Sequence, residues 1–237
     1  MDPMFERLRR ALTAVLADIA ATCEQAGRDP ATVELVAVSK YATAVETLAL
    51  ARALVACGLE PRLGENRVQS LALKSAELAG QDVVVRWDLI GSLQRNKAAQ
   101  ALRIVDRIHS LDRHEILEQV ARLAEGLDRQ VQGFLQVNIS GEGSKQGFAP
   151  EDLPAALEQA AALPRIEILG LMGMAPWGTD HDSARAAFAM LRRLRDRHAP
   201  GLGHLSMGMS QDFRGAILEG ATVLRIGSAL YAEAEDR

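Results

Sequence analysis

The sequence predicts an α/β fold, a single (β/α)8 TIM barrel with an extra amino-terminal helix. Short apolar runs alternate strictly with longer amphipathic segments, the apolar runs number eight, and no Gly/Ser/Pro-rich linker divides the chain. Strict alternation implies parallel strands joined by right-handed crossovers, and eight repeats close a barrel. A doubly wound open sheet is the alternative. It is disfavoured because no GxGxxG motif follows the first strand.

The chain opens with an amphipathic helix that precedes the first strand. Apolar residues recur at helical spacing over about six turns. They are Met4, Leu8, Leu12, Val15, Leu16, Ile19 and Cys23. Gly27 and Pro30 end the pattern. We expect residues 1–27 to pack on the barrel and residues 1–237 to form one domain. Coverage of the barrel bottom and association with another chain are both open roles for this helix.

Eight strands and seven further helices follow in strict order. The predicted strands are Val33 to Ser39, Arg62 to Gly64, Val84 to Gly91, Ile104 to Ser110, Gln132 to Ile139, Glu167 to Met172, His204 to Met207 and Val223 to Gly227. The predicted helices are Ala44 to Cys57, Arg67 to Leu78, Arg95 to Leu102, Arg113 to Glu125, Pro150 to Leu163, Ser183 to His198 and Gln211 to Leu218.

Composition excludes several classes of function. The 237 residues are 48% hydrophobic and 24% charged, as in an ordinary globular protein, and the net charge of -4 with scattered basic residues predicts neither nucleic-acid nor membrane binding. Cys23 and Cys57 form no CxxC pair, which argues against a disulfide framework or a zinc site. No signal peptide or membrane span is recognisable, so we expect a cytoplasmic protein. Asp180, His181 and Asp182 are read as helix-capping residues rather than metal ligands.

Polar residues cluster at the predicted carboxyl ends of the strands. In a parallel barrel, functional residues lie at these ends and in the loops that follow them. The residues are Lys40, Glu65, Asn66, Gln94, Asn96, Lys97, Asn138, Ser140, Ser206, Ser210, Arg225, Gly227 and Ser228. The clustering predicts that the functional site lies at this end of the barrel.

Lys40 ends the first apolar run in a chain that has only four lysines. Desolvation of an amine at the end of a buried strand would disfavour its charged form. Its pKa would then fall, and it could form an imine with an aldehyde. A lysine that extends from the strand end to solvent is the alternative interpretation.

The segments after the seventh and eighth strands predict a phosphate site. Leu205 to Ser210 leads into a helix, and Arg225 to Ser228 combines a glycine with a serine. Barrels often bind phosphate in these two loops, through amides at a helix amino terminus. A serine cap and a loop glycine would explain either motif alone, but both at adjacent strand ends favour a phosphate site.

An imine-forming lysine near a phosphate site predicts an aldehyde that carries a phosphate. Pyridoxal 5'-phosphate (PLP) fits, with its aldehyde on Lys40 and its phosphate held by Ser206, Ser210 and the amides near Gly227 and Ser228. A sugar-phosphate aldolase would use the same two features. It is disfavoured because no paired carboxylate and lysine accompany Lys40 in an obvious relay.

Seven ordered motifs extend over nearly the whole chain. They are Ala37 to Lys40, Gly64 to Asn66, Trp87 to Lys97, Gln136 to Ile139, Gly170 to Met172, Leu205 to Ser210 and Arg225 to Gly227. With them the chain resembles the PLP homeostasis proteins, also called the proline synthase co-transcribed family. The resemblance implies a barrel like the amino-terminal domain of alanine racemase, with PLP on Lys40 and Arg225 facing the pyridine nitrogen. Asn66, Asn138 and Met172 complete the expected cofactor-binding residues.

The resemblance also implies a carrier or buffer of PLP rather than an enzyme. An arginine at the ring nitrogen does not give up a proton, so the cofactor becomes a weak electron sink. A PLP-dependent amino-acid racemase is the alternative. It needs a second proton donor, which in alanine racemase would come from a second domain and a partner subunit, whereas only six residues follow Tyr231 here. PLP-dependent apoenzymes are the expected recipients of PLP, and we expect a monomer.

The chain departs from the family pattern at four positions. Asp88 and Ser92 stand where the family usually has histidine and proline, Leu63 where it has phenylalanine, and Tyr41 where threonine is common. A role for that histidine therefore does not carry over. Lys97 and Lys145 also lie in family-like segments, where phosphate contact, acceptance of PLP in transit or simple solvation would each fit.

Overall fold

The computed structural model describes residues 2–141 and 146–231, whose strands form one closed parallel barrel. The strands are β1 (Glu34–Val38), β2 (Arg62–Glu65), β3 (Arg86–Leu89), β4 (Arg107–Leu111), β5 (Val131–Gln136), β6 (Ile166–Met172), β7 (His204–Met209) and β8 (Val223–Ile226). Each strand pairs with the next in sequence, and β8 pairs with β1. The predicted barrel is confirmed.

The α-helices lie before the first strand, between the strands and after the last strand. They are α1 (Pro3–Gln25), α2 (Ala44–Ala56), α3 (Val68–Leu78), α4 (Ala98–Ala101), α5 (His114–Gly126), α6 (Leu153–Ala162), α7 (His181–His198), α8 (Phe213–Leu218) and α9 (Ser228–Tyr231). The predicted helix from Arg95 begins as a 3-10 turn and only its second half is α-helical. The sequence prediction missed α9, because four residues are too few for a periodic pattern. None of the helices in the described residues is long and apolar enough to cross a bilayer.

Helix α1 packs against α2, α8 and α9 in the outer helical layer. Asp2 caps its amino terminus by accepting a hydrogen bond from the Met4 amide, and Pro3 occupies the first turn, where a missing N–H costs nothing. Its buried face consists of Leu8, Ala11, Leu12, Val15, Ile19, Thr22 and Cys23. These contacts place the helix against three helices of the outer layer.

Apolar side chains from opposite walls fill part of the barrel interior. Val36 on β1 and Phe134 on β5 belong to one buried cluster with Met172 and Val223, and Ile90 and Leu169 pack against it. Strands β1 and β5 lie on opposite sides of an eight-stranded barrel, so these side chains meet across its interior. This cluster therefore packs part of the interior, and functional residues are expected at the carboxyl end of the barrel.

Gly170 marks a position where two strand backbones approach closely. A Cβ placed there would lie 1.9 Å from the carbonyl oxygen of His204 on the neighbouring strand β7. We expect Gly170→Ala to lower the free energy of unfolding by at least about 1–3 kcal/mol, because backbone atoms would have to move. Urea denaturation measures this loss. Gly126→Ala is the matched control, since a Cβ there meets nothing within 4 Å, and an equal loss in both variants would contradict the close-approach account.

Candidate functional site

The structure brings the predicted site residues to the carboxyl-terminal part of the barrel. Because all eight strands are parallel, their carboxyl ends open at one mouth. Six strands or their following loops contribute the nine predicted residues. These are Lys40 after β1, Asn66 after β2, Asn138 after β5, Met172 at the end of β6, Ser206 in β7, Ser210 after β7, Arg225 in β8, and Gly227 and Ser228 after β8.

Lys40 lies in the turn that follows β1 and is exposed to solvent. Its Nζ atom lies 4.9 Å from the centre of the Tyr41 ring, which is itself 88% exposed. The predicted desolvation of this amine is therefore wrong. Strand β1 ends at Val38, so Lys40 lies beyond the buried part of the barrel wall.

A buried ion pair holds the backbone immediately before Lys40. The Ser39 hydroxyl donates to Glu65 Oε1 over 2.8 Å, and Lys74 Nζ donates to the Ser39 carbonyl over 2.6 Å and to the same Glu65 oxygen. All three residues are buried. The sequence analysis did not identify Lys74. This residue lies on the same buried face of α3 as Val68 and Leu71. A lysine on a buried helix face was the available signal.

The loops after β7 and β8 are joined through the Ser210 hydroxyl. Its Oγ accepts hydrogen bonds from the amides of Gly227 (3.1 Å) and Ala229 (3.2 Å). The Ser210 O–H remains available as a donor. A Cβ at Gly227 would lie 3.3 Å from Val38 Cβ, so this loop packs against the strand that leads to Lys40.

Arg225 is a buried cation, only 4% exposed. It donates from Nη1 to Ser206 Oγ over 2.6 Å and from Nη2 to the Gly173 carbonyl over 3.1 Å. Among the described residues, no carboxylate lies within salt-bridge distance of its guanidinium. Burial lowers the pKa of Arg225 to about 10, against the opposing charge of Asp212. Such a group is complementary to a ligand with an acceptor atom or a negative charge.

Ser206 lies beneath the mouth rather than at the strand end. Strand β7 runs two residues beyond its predicted end, so Ser206 lies within the strand and is fully buried. Its hydroxyl contacts His109 Nδ1 over 2.8 Å as well as Arg225. Sequence reasoning missed His109. The available signal was the two-residue spacing of Arg107 and His109 in a short strand, which directs both side chains to one face.

Asp88 is the centre of a charged network inside the barrel. Its carboxylate contacts His109 Nε2 at 2.9 Å, Arg107 Nη2 at 2.6 Å and Arg62 Nη1 at 3.0 Å. Glu34 binds the other side of Arg107 at 2.7 Å. Burial would raise the pKa of Asp88, but His109 and Arg107 outweigh burial and hold this pKa well below its usual range. The carboxylate is therefore ionised at neutral pH.

This low pKa predicts the direction of acid destabilisation. The pKa of Asp88 is depressed in the folded protein relative to about 3.9 in an unfolded chain. Its contribution to stability is therefore complete above that unfolded value and is lost as the pH falls toward the folded-state pKa. We expect the free energy of unfolding to decrease below about pH 4, as measured by urea denaturation across pH. Asp88→Asn should have a shallower dependence, and an unchanged slope would contradict the assignment.

Two further residues singled out from the sequence accept hydrogen bonds from residues close by in the chain. Asp180 accepts a hydrogen bond from the Ser183 amide as the cap of α7, which confirms the capping interpretation for Asp180, while His181 and Asp182 lie in the first turn of this helix. Asn138 Oδ1 accepts from the amide and hydroxyl of Ser140. Lys97 is half-buried in the 3-10 turn after β3. Lys145 lies outside the described residues.

Comparison with known proteins gives consistent matches over most of the chain. Residues 12–235 match the family model of the alanine racemase N-terminal domain. A curated protein of Pseudomonas aeruginosa, named pyridoxal phosphate homeostasis protein, is 43% identical over 217 residues, which cover 92% of this chain and 91% of that protein. The family resemblance predicted from the sequence motifs is confirmed.

Solved structures are similar at two levels. PipY of Synechococcus elongatus PCC7942, determined with PLP bound, is 35% identical with a TM-score of 0.75, over 92% of this chain and 100% of that chain. An alanine racemase of Clostridium difficile is 15% identical with a TM-score of 0.67, over 96% of this chain and 57% of that chain. At that identity the racemase shows a shared fold alone.

Proposed function

The chain belongs to the pyridoxal phosphate homeostasis protein family, and on this premise we propose that it binds PLP and acts as an intracellular carrier or buffer of this cofactor. The observation that carries the proposal is the buried Arg225. Its guanidinium lies in the barrel without a carboxylate partner among the described residues, on the strand that pairs with β1. A ligand with acceptor atoms would complete its hydrogen bonding.

Lys40 is the proposed covalent attachment point for PLP. Its amine would add to the aldehyde carbon, and loss of one water would leave a carbon–nitrogen double bond, an imine. Lys40 is exposed and therefore accessible to PLP from solution, while the buried contacts of Ser39 hold the preceding backbone in place. An accessible amine on a fixed backbone suits reversible loading and release.

The other predicted residues suit the remaining parts of PLP. The Ser210 hydroxyl and the Ser228 amide would hold the phosphate, whereas the predicted Gly227 amide already donates to Ser210 Oγ. Arg225 would face the ring nitrogen. Asn66, Asn138 and Met172 would surround the ring from the neighbouring strand ends. Ser206 was expected from the sequence to hold the phosphate as well. It is fully buried and hydrogen-bonded to Arg225 and His109, so we propose instead that it contributes through Arg225.

Little or no catalytic turnover is proposed. Arg225 remains a donor at the ring nitrogen, which limits stabilisation of negative charge by PLP. The two tyrosines are unsuited to act as a second base for racemisation: burial raises the pKa of Tyr231 far above its usual range, and Tyr41 is 88% exposed. A PLP-dependent amino-acid racemase is the alternative function, since the fold is shared with alanine racemase.

Titration of the purified protein with PLP tests the proposed function. We expect an imine absorption band, measured as the difference from the spectrum of free PLP, that saturates at one PLP per chain. Absence of any band would contradict PLP binding as an imine. Incubation of the loaded protein with single-enantiomer amino acids then separates carrier from racemase, and appreciable racemisation would overturn the carrier proposal.

Ser210→Ala tests the phosphate part of the site. Removal of one donor to a charged phosphate should cost about 1.5–3 kcal/mol, which raises the Kd for PLP by about 10- to 100-fold. Pyridoxal, which lacks the phosphate, should bind the wild type and the variant with similar Kd values. Fluorescence titration measures both ligands. A similar weakening for pyridoxal would assign Ser210 to a structural role instead.

We further propose that residues 1–237 act as one domain, with the amino-terminal helix as part of it, and that the protein works as a cytoplasmic monomer. PLP-dependent apoenzymes are the proposed recipients of the cofactor. Sedimentation with and without PLP tests the monomer. Transfer of PLP to an added apoenzyme, followed by the return of that enzyme's activity, tests delivery.

A further inference from the structure

A continuous chain of side-chain hydrogen bonds crosses the barrel interior beneath Arg225. It runs from Arg225 on β8 to Ser206 on β7 (2.6 Å), to His109 on β4 (2.8 Å) and to Asp88 on β3 (2.9 Å). All four side chains are buried. None of the three residues beyond Arg225 can be reached from solvent, so their influence on a ligand must pass through Arg225.

The directions of these hydrogen bonds follow from the two ends of the series. A guanidinium only donates, so Ser206 Oγ accepts from Arg225, and the ionised Asp88 only accepts, so His109 Nε2–H donates to it. In a neutral His109 the Nδ1 atom then carries no proton and accepts a hydrogen bond from the Ser206 hydroxyl. Burial lowers the pKa of His109, and the nearby charges of Arg107 and Arg225 act in the same direction, whereas Asp88 acts against them. The neutral tautomer therefore satisfies every member of the chain.

Two arginines hold Asp88, the residue at the other end of this series of hydrogen bonds from Arg225. Asp88 receives hydrogen bonds from Arg107 and Arg62, and Arg107 is itself paired with Glu34. The carboxylate therefore cannot move without breaking several charge-assisted bonds. Asp88 is therefore a fixed, ionised end of this series of hydrogen bonds.

The order Asp88, His109, Ser206 resembles the relay of a serine hydrolase, but the geometry excludes that role. Ser206 has 0% relative exposure and lies within β7. Its oxygen already accepts a hydrogen bond from Arg225. A substrate carbonyl therefore cannot approach it, and the relay acts on Arg225 rather than on an acyl group.

We propose that Asp88, His109 and Ser206 are positioning residues that hold the Arg225 guanidinium in a fixed orientation toward the ring nitrogen of PLP. This inference rests on the proposed function. A fixed guanidinium keeps one donor aimed at the ring nitrogen and limits its protonation. Removing one of these hydrogen bonds should therefore alter the electronic state of bound PLP, although none of the three residues reaches the aldehyde.

The substitution His109→Phe tests the series of hydrogen bonds, and His204→Phe is its control. It removes both hydrogen bonds and keeps a ring beside Phe134, whose centre lies 4.5 Å from that of His109. His204 lies on the same strand as Ser206, and its ring centre is 6.5 Å from that of Phe134. It is a suitable control because it belongs to none of the hydrogen bonds between Arg225 and Asp88. We expect His109→Phe to raise the Kd for PLP by about tenfold and to shift the pH titration of the near-visible band. His204→Phe should match the wild type in both.

The same substitution in an Arg225→Gln background separates positioning from general structural damage. If His109 acts through Arg225, adding His109→Phe to Arg225→Gln produces no further change in the band or in its pH titration. His109→Asn should restore part of the wild-type spectrum, because its amide oxygen can accept the Ser206 proton. An additive change in the double variant would overturn the inference.

The outcomes distinguish this inference from the proposed function. A wild-type protein without a PLP band contradicts the proposed function itself. A normal wild-type band that His109→Phe leaves unchanged, or that His204→Phe changes equally, contradicts only the positioning role. Far-UV circular dichroism checks folding. If His109→Phe does not fold, His109→Asn and Ser206→Ala, each with and without Arg225→Gln, are judged by the same additivity criterion.

Discussion

Lys40→Ala should replace the imine band of bound PLP by the absorption of its free aldehyde and weaken PLP binding on the order of a hundredfold. The variant lacks the amine that forms the imine, so only the contacts to the phosphate and the ring nitrogen remain. The fold should be unaffected, because Lys40 lies exposed in the turn after β1. Absorbance and fluorescence titrations measure the band and the Kd, and thermal unfolding checks stability.

Lys40→Arg is the matched control for charge. It keeps a cation at the same place, but its guanidinium does not form an imine under these conditions. We expect the same loss of the band as in Lys40→Ala, with a smaller loss of affinity if charge alone assists binding of the phosphate. A normal band in either variant would show that another lysine holds PLP.

Lys74→Ala should be strongly destabilising although it lies outside the mouth. The substitution leaves the Glu65 carboxylate in the protein interior without its cation and removes the donor to the Ser39 carbonyl. Breaking a buried ion pair from one side costs about 3–5 kcal/mol. Urea denaturation measures this loss. Because Ser39 precedes Lys40, we also expect the remaining folded protein to bind PLP more weakly.

Two further variants make this prediction specific. Lys97→Ala removes the same charge from a half-buried turn and should cost less than about 1 kcal/mol. The double substitution Glu65→Gln with Lys74→Met removes both charges and should recover much of the stability lost in Lys74→Ala. A Lys74→Ala variant as stable as Lys97→Ala would contradict the importance of the buried pair.

The architecture and the position of the site follow from features that repeat along the chain. Eight alternations of apolar run and helical pattern specify the barrel, and parallel strands bring their carboxyl ends to one mouth. Residues after separate strands, such as Lys40 and Ser210, could therefore be assigned to one end before any coordinates were known. Short elements such as α9 were missed because periodicity needs several turns to be recognised.

The sequence pattern could not predict which side chains contact each other across the barrel. His109 and Ser206 are 97 residues apart and meet at 2.8 Å only because the closed barrel directs side chains of β4 and β7, three strands apart, into the same interior. Lys74 was not identified because it takes one of the apolar positions of α3, where a buried charge is not expected from the sequence. The burial of Lys40 was overestimated because the last residue of β1 could not be fixed from an apolar run alone.

Chemical trapping tests the central claim most directly. Borohydride adds hydride to the imine carbon and converts the carbon–nitrogen double bond to a stable single bond, which peptide mapping by mass spectrometry then locates. The chain has only four lysines, at positions 40, 74, 97 and 145, so the assignment is unambiguous. We predict one reduced PLP adduct per chain, on Lys40. An adduct confined to another lysine, or tight PLP binding with no adduct, would contradict the account.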